Sequence, residues 1–122
     1  MYIMCDEPAK DISVEQFEEY FKGKETIQDI VDAYAISHNK FWWVEDNEYD
    51  FEEGTAEYEQ ACEITNQWAK IMDKYTDMIF TFIKAEGKTI PEKGQIEVLA
   101  PFMKKFGYID GNGWWIKESK GE

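Results

Sequence analysis

Apolar residues recur along this chain at two intervals, and each change of interval marks an element. In VEQFEEYFK, Val14, Phe17 and Phe21 fall on one helical stripe, while Glu15, Glu18 and Glu19 share another face. Ser13 followed by Gln16 has the form of an N-cap with a capping box, and Gly23 is a natural stop. Thr26 and Asp29 open a second helix with Ile27, Ile30, Val31 and Tyr34 on its apolar side, predicted to end near His38–Asn39. From Thr55 to Glu86 there is neither Pro nor Gly. Tyr58, Cys62, Thr65, Trp68, Met72, Tyr75, Ile79 and Phe82 recur there every three or four positions. One helix of about 32 residues, roughly 48 Å long, is predicted over this span. It is long for so short a chain, so the shorter helices are expected to pack on it.

The C-terminal region changes rhythm. Pro91 and Gly94 punctuate a loop, and Ile96, Val98 and Leu99 form an apolar patch with the pattern of a short helix. Pro101 suits the first turn of a further helix to Phe106, closed by Gly107. In YIDGNGWWIK, the run Gly111, Asn112, Gly113 tolerates positive φ. It predicts a hairpin with Tyr108–Asp110 and Trp114–Lys117 as arms, and Lys40–Val44 could add a third strand. The fold class expected is α+β and mainly helical: a single domain over residues 1–122, one long central helix at about 55–86, and a small antiparallel hairpin or three-stranded sheet near the C-terminus.

Composition sharpens this picture. With 43% hydrophobic and 16% aromatic residues, the chain is too apolar for a disordered acidic segment. Its formal charge is −13. Such a surface repels nucleic acid and anionic lipid and attracts basic proteins or cations. All 13 cationic residues are Lys, so nothing can grip phosphate with a bidentate fork. The apolar runs are short of a membrane span, and MYIMCDEP has no basic region or extended apolar segment of the kind a signal peptide carries. A cytoplasmic protein with Cys5 and Cys62 as free thiols is expected.

The charge is unevenly placed. Residues 1–66 hold 4 Lys and 18 Asp or Glu, a balance of −14, and residues 67–122 hold 9 Lys and 8 Asp or Glu, a balance of +1. The densest stretch is FWWVEDNEYDFEE, residues 41–53. Read as extended chain, it would set Asp46, Glu48, Asp50 and Glu52 on one side, with Tyr49 and Phe51 on the other as anchors to the core. Carboxylates on that side would stand roughly 6.6–6.8 Å apart, much like neighbouring phosphates of a nucleic-acid strand. Glu15, Glu18, Glu19, Glu57, Glu59 and Glu63 could extend the field. The plain alternative is a solvated acidic loop leading into a helix whose positive end favours Glu57 and Glu59.

Other chemistry finds little footing. An EF-hand needs Gly at position 6, where a loop opening at Asp46 has Phe51 and one opening at Asp110 has Trp115. A zinc site would have to gather Cys5, His38 and Cys62 without ligand spacing. Ser37 and His38 are adjacent and diverge on a helix, and Cys62 falls on the apolar stripe of the long helix, where a buried structural thiol is expected. No phosphate-binding glycine loop is present. No catalytic residue, metal or cofactor is assigned. Trp42, Trp43, Trp114 and Trp115 form two pairs that, on strands, would each send one ring into the core and leave one outward.

The expectation is an inhibitor that occupies a basic, nucleic-acid-binding surface by presenting carboxylates where phosphates would sit. In size and charge the chain is similar to the small acidic inhibitors of bacterial defence nucleases, the anti-CRISPR and anti-restriction proteins of phages and mobile elements. The similarity is one of composition, so no functional residue is carried over from it. The partner implied is a basic nucleic-acid-binding protein such as a Cas effector or a restriction nuclease, with no direct contact to nucleic acid or membrane. Candidate contacts are Glu45, Asp46, Glu48, Asp50, Glu52 and Glu53, with Trp42 and Tyr49 as apolar anchors and Glu15, Glu18, Glu19 and Glu57 around them. Two rivals stand beside this reading. One is a helical adaptor or homodimer that uses Trp68, Met72 and Tyr75 of the long helix. The other is a small enzyme with paired carboxylates.

Overall fold

The computed structural model describes residues 12–48, 50–110 and 115–117. Four helices precede a two-stranded antiparallel sheet: α1 (Val14–Phe21), α2 (Ile27–Glu48), α3 (Ala56–Ala85), α4 (Ile96–Lys105), β1 (Tyr108–Asp110) and β2 (Trp115–Lys117). The expected class, a mainly helical α+β chain with a long central helix and a small hairpin, is the one observed.

The helix starts follow local chemistry. Ser13 Oγ accepts the Gln16 N–H at 3.1 Å, and Gln16 Oε1 accepts the Ser13 N–H at 2.8 Å, which is the capping box read from the sequence. Thr26 and Asp29 make the same reciprocal pair at the head of α2, at 3.1 and 3.3 Å. Thr55 Oγ1 accepts the Tyr58 N–H and begins α3, whose 30 residues span about 45 Å. After its last turn Gly87, at φ 87, lets the Lys88 N–H reach back to the Ile83 carbonyl.

Two sequence expectations are corrected. First, α2 does not end at His38–Asn39 but runs to Glu48, so Lys40–Val44 is helix and not a third strand. No Gly or Pro interrupts residues 24–53, and Phe41 and Val44 prolong the stripe set by Val31 and Tyr34 and pack against the core. β-propensity of the aromatics yields to tertiary packing. Second, α4 is one helix from Ile96 with Pro101 inside it. Pro101 lies only a turn beyond the helix start, where the donor it lacks would have met the Glu97 carbonyl. The hairpin arms are observed over Tyr108–Asp110 and Trp115–Lys117; Trp114 and the expected turn at Gly111–Gly113 lie outside the described residues.

The buried residues form one cluster drawn from all these elements. Lys40 Nζ lies 5.9 Å from the centre of the Trp68 ring, and Cys62 Sγ lies 3.4 Å from Glu48 Oε1. These two pairings, descending on one helix while ascending on the other, make α2 and α3 an antiparallel pair. On the α3 side, Phe17 of α1 meets Trp68 edge-on at 5.3 Å. Near the end of α3, Phe82 stacks on Phe102 of α4, and Glu86 pairs with Lys105. The hairpin closes on α2, where Ala33 to Ser37 is buried without interruption. A helix enclosed on every side needs its polar groups satisfied, and they are. Ser37 Oγ donates to the Tyr34 carbonyl, and Asn39 bonds both the N–H and the carbonyl of Trp115, each at 2.9 Å.

Candidate functional site

The antiparallel pairing brings the C-terminal turn of α2 beside the N-terminal turns of α3. Glu45, Asp46 and Glu48 come from the first, and Glu57, Glu59 and Glu63 from the second. Asp50, Glu52 and Glu53 come from the loop between them. Nine carboxylates thus gather at one end of the helix pair. From Phe41 to Ala69 the sequence contains no lysine. Three ion pairs occur among the described residues: Glu86 with Lys88, Glu86 with Lys105, and Asp32 with Lys117. None involves the acidic end.

This loop is knitted to both helices. The Phe51 N–H donates to the Glu48 carbonyl at 3.1 Å, and the Thr55 N–H and hydroxyl both donate to the Glu52 carbonyl, at 3.2 and 2.7 Å. Gly54 takes φ 88, a conformation other residues rarely reach. The Cys62 thiol donates to Glu48 across the two helices. The Cys62 pKa is raised chiefly by burial, with Glu48 adding to the rise, so the neutral donor form is favoured. Cys62 is therefore a partly exposed clasp between helices and not the buried core thiol expected from its stripe.

The electrostatics of the two helix ends are opposite. Glu57 and Glu59 occupy the first turn of α3, where the helix dipole favours negative charge. Glu45, Asp46 and Glu48 occupy the last turn of α2, where it disfavours negative charge by about 0.3–1 kcal/mol apiece, and no basic residue offsets them. Helix stability accounts for the first set and is lowered by the second.

The extended ladder expected for residues 46–52 is not formed. Asp46 and Glu48 are helical, so Glu45 and Glu48 share a face while Asp46 turns away. Phe51 is 43% exposed and does not anchor the loop; Tyr49 lies outside the described residues. The Trp pairs are also rearranged. Trp42 and Trp43 sit on helix, with Trp42 44% exposed and Trp43 partly buried, whereas Trp115 is buried. Trp42 lies edge-on to Phe41 at 5.2 Å and faces the His38 ring at 6.4 Å. It remains an outward aromatic within about 9 Å along the helix of Glu48.

The α1 acids part company. Glu15 borders a cleft of about 310 Å³ with Trp43 and Ile64, toward the acidic end. Glu18 borders a different cleft lined by lysines, and Glu19 is exposed elsewhere on the helix. On the face named for an adaptor, Trp68 is buried against Phe17, while Met72 and Tyr75 are partly exposed. Sequence reasoning missed Asn39 and the Cys62–Glu48 clasp, because both depend on which helices meet.

Among the described residues, no three of His, Cys, Asp and Glu are placed to hold a metal ion. No described helix is long and apolar enough to cross a membrane. No protein-family model matches the chain, and no curated protein or solved structure is significantly similar to it. The functional reading therefore rests on the residues themselves.

Proposed function

We propose that this protein is an acidic inhibitor whose carboxylate-rich end occupies the basic, nucleic-acid-binding surface of a partner protein. The observation that carries the reading is the last turn of α2. Three carboxylates sit there against the helix dipole, beside six more, with no lysine in the surrounding 29 residues. An arrangement that costs stability is better explained by what it attracts than by what it holds together. The hydrogen-bonded loop and the Glu48–Cys62 clasp hold the backbone that carries the charges, which limits the ordering cost of binding. Trp42 supplies an apolar anchor at the margin, as aromatic residues do in interface hot spots. The charges form a cluster on a helix-pair end and not a phosphate-spaced row. The reading therefore requires overall charge complementarity and makes no demand for atom-by-atom mimicry.

The test is capture from a bacterial lysate followed by measurement on the protein recovered. Affinity should fall steeply as salt rises, because counterions released from a basic surface are recovered by it. Nucleic acid should compete. Converting Asp46, Asp50, Glu52 and Glu53 to Lys should abolish binding while circular dichroism stays unchanged; Glu48 is spared because it holds Cys62. Salt-insensitive binding that survives this variant would instead favour an adaptor that uses the partly exposed Met72 and Tyr75.

A further inference from the structure

The cleft that Glu18 borders is unlike the rest of this surface. It has a volume of about 560 Å³ and lies between α1, the turn from Lys22 to Glu25, and the middle of α3. Its rim carries Lys22 and Lys24 from the turn and Lys70 and Lys74 from α3, against two acids, Glu18 and Glu25. The local balance is thus +2 (four Lys less two Glu) on a chain of −13. None of these four lysines is ion-paired among the described residues. Lys24 Nζ donates to the Tyr20 carbonyl at 2.7 Å and lies over the Tyr20 ring, and Lys74 lies 5.2 Å from the centre of the Tyr75 ring. Below the rim the floor is apolar. Ile71, Tyr75 and Met78 follow one another along α3 at helical spacing, Ile30 faces them from α2, and all four are partly exposed.

We infer that this cleft binds a small amphipathic anion, a molecule with an apolar aliphatic or aromatic body and a single carboxylate-like head. The volume lies in the range of small-molecule sites, about 300–1,000 Å³. The floor removes the body from water, and the lysines meet the head. A purely ionic ligand would leave Ile71 and Met78 unused. A neutral one would make no use of the positive rim. The site is separate from the acidic end and does not depend on its function. Tyr75, whose phenol burial and Glu18 already hold above its usual pKa, forms part of the floor and reports occupancy.

Decanoate, decanol and decylamine, titrated against the intact protein and followed by NMR chemical shifts, test the inference. Decanoate should bind saturably and at least about tenfold more tightly than decanol or decylamine. The shifts should centre on Ile71, Tyr75 and Met78, and the Tyr75 phenol should titrate at still higher pH. The order is demanding, because a chain of −13 attracts decylamine everywhere else. Lys70→Glu with Lys74→Glu, both exposed on α3, should cost at least about tenfold in decanoate affinity without unfolding the protein. Lys84→Glu with Lys104→Glu, outside the cleft, serves as the control for net charge and should leave affinity near wild type. The inference fails if decanoate does not saturate below about 1 mM, if decylamine matches it, or if both double variants behave alike.

Discussion

Asn39 does for the hairpin what a third strand would have done. Its side-chain amide accepts from the Trp115 N–H and donates to the Trp115 carbonyl, so the outer edge of β2 ends on a buried helix. Removing it strands two buried backbone groups. Asn39→Ala should cost about 1–3 kcal/mol in urea denaturation, more than the loss of about 1 kcal/mol expected for the exposed cap in Ser13→Ala. Nothing in the sequence distinguishes Asn39 from a helix-ending residue, because its partner lies 76 positions away. Its neighbour His38 is enclosed by Tyr34, Trp42 and Trp115. Burial lowers its pKa below 6.5; the Asn39 contact and the nearby Asp110 oppose this in part. The unfolded chain then binds a proton at higher pH than the folded one, so this stability is complete above pH 6.5 and declines as pH falls toward the depressed folded value. Subtracting the pH–stability curve of His38→Gln from that of wild type should isolate that slope. Tyr34, with its phenol pushed up to about 12 by burial, stays neutral throughout.

Among the elements, α1 and α3 were the most legible. Ser13, Thr55 and Gly87 bound stretches of clean helical period, and a cap is local chemistry that a sequence displays directly. The hairpin announced itself through Gly111 to Gly113, flanked by apolar arms. The second half of α2 did not, because Phe41, Trp42 and Trp43 favour strands and only packing against α3 decides for helix. The acidic cluster is legible as composition but not as geometry: the sequence displays its residues, and the extended row it predicts is a helix end and a loop. That end yields a paired prediction eleven positions apart, in which both changes relieve crowding and the dipole tells them apart. Asp46→Lys, at the C-terminal turn of α2, should stabilise the protein by about 0.3–1 kcal/mol. Glu57→Lys, at the N-terminal turn of α3, relieves the same crowding but opposes the dipole, so it should be less favourable than Asp46→Lys by about 0.6–2 kcal/mol, the dipole effect counted at both ends. Thermal denaturation at low salt measures both, and equal shifts would remove the dipole argument from the proposed function.

At the scale of the whole molecule, the charge is polarised along the helix pair, with an acidic end, and lysines along its flank and far end. Crowded like charges destabilise a compact state, and salt screens them. The melting temperature should rise with sodium chloride at low ionic strength. The variant with four lysines in place of Asp46, Asp50, Glu52 and Glu53 carries −5, from −13 plus eight, and should show a visibly flatter rise. A wild-type melting temperature indifferent to salt would mean that the carboxylates stand too far apart to repel.

The stretch without lysine also dictates how a contact there can be mapped. Trypsin releases Phe41 to Lys70 as one uncut peptide, and Lys40, at its upstream boundary, is only 4% exposed, so that cut waits for unfolding. Amine-reactive cross-linkers have nothing to grip between those boundaries. Carbodiimide coupling of carboxylates to the lysines of a bound protein has nine chances within a single fragment. A joined peptide of that kind would identify the partner and the face it uses in one experiment.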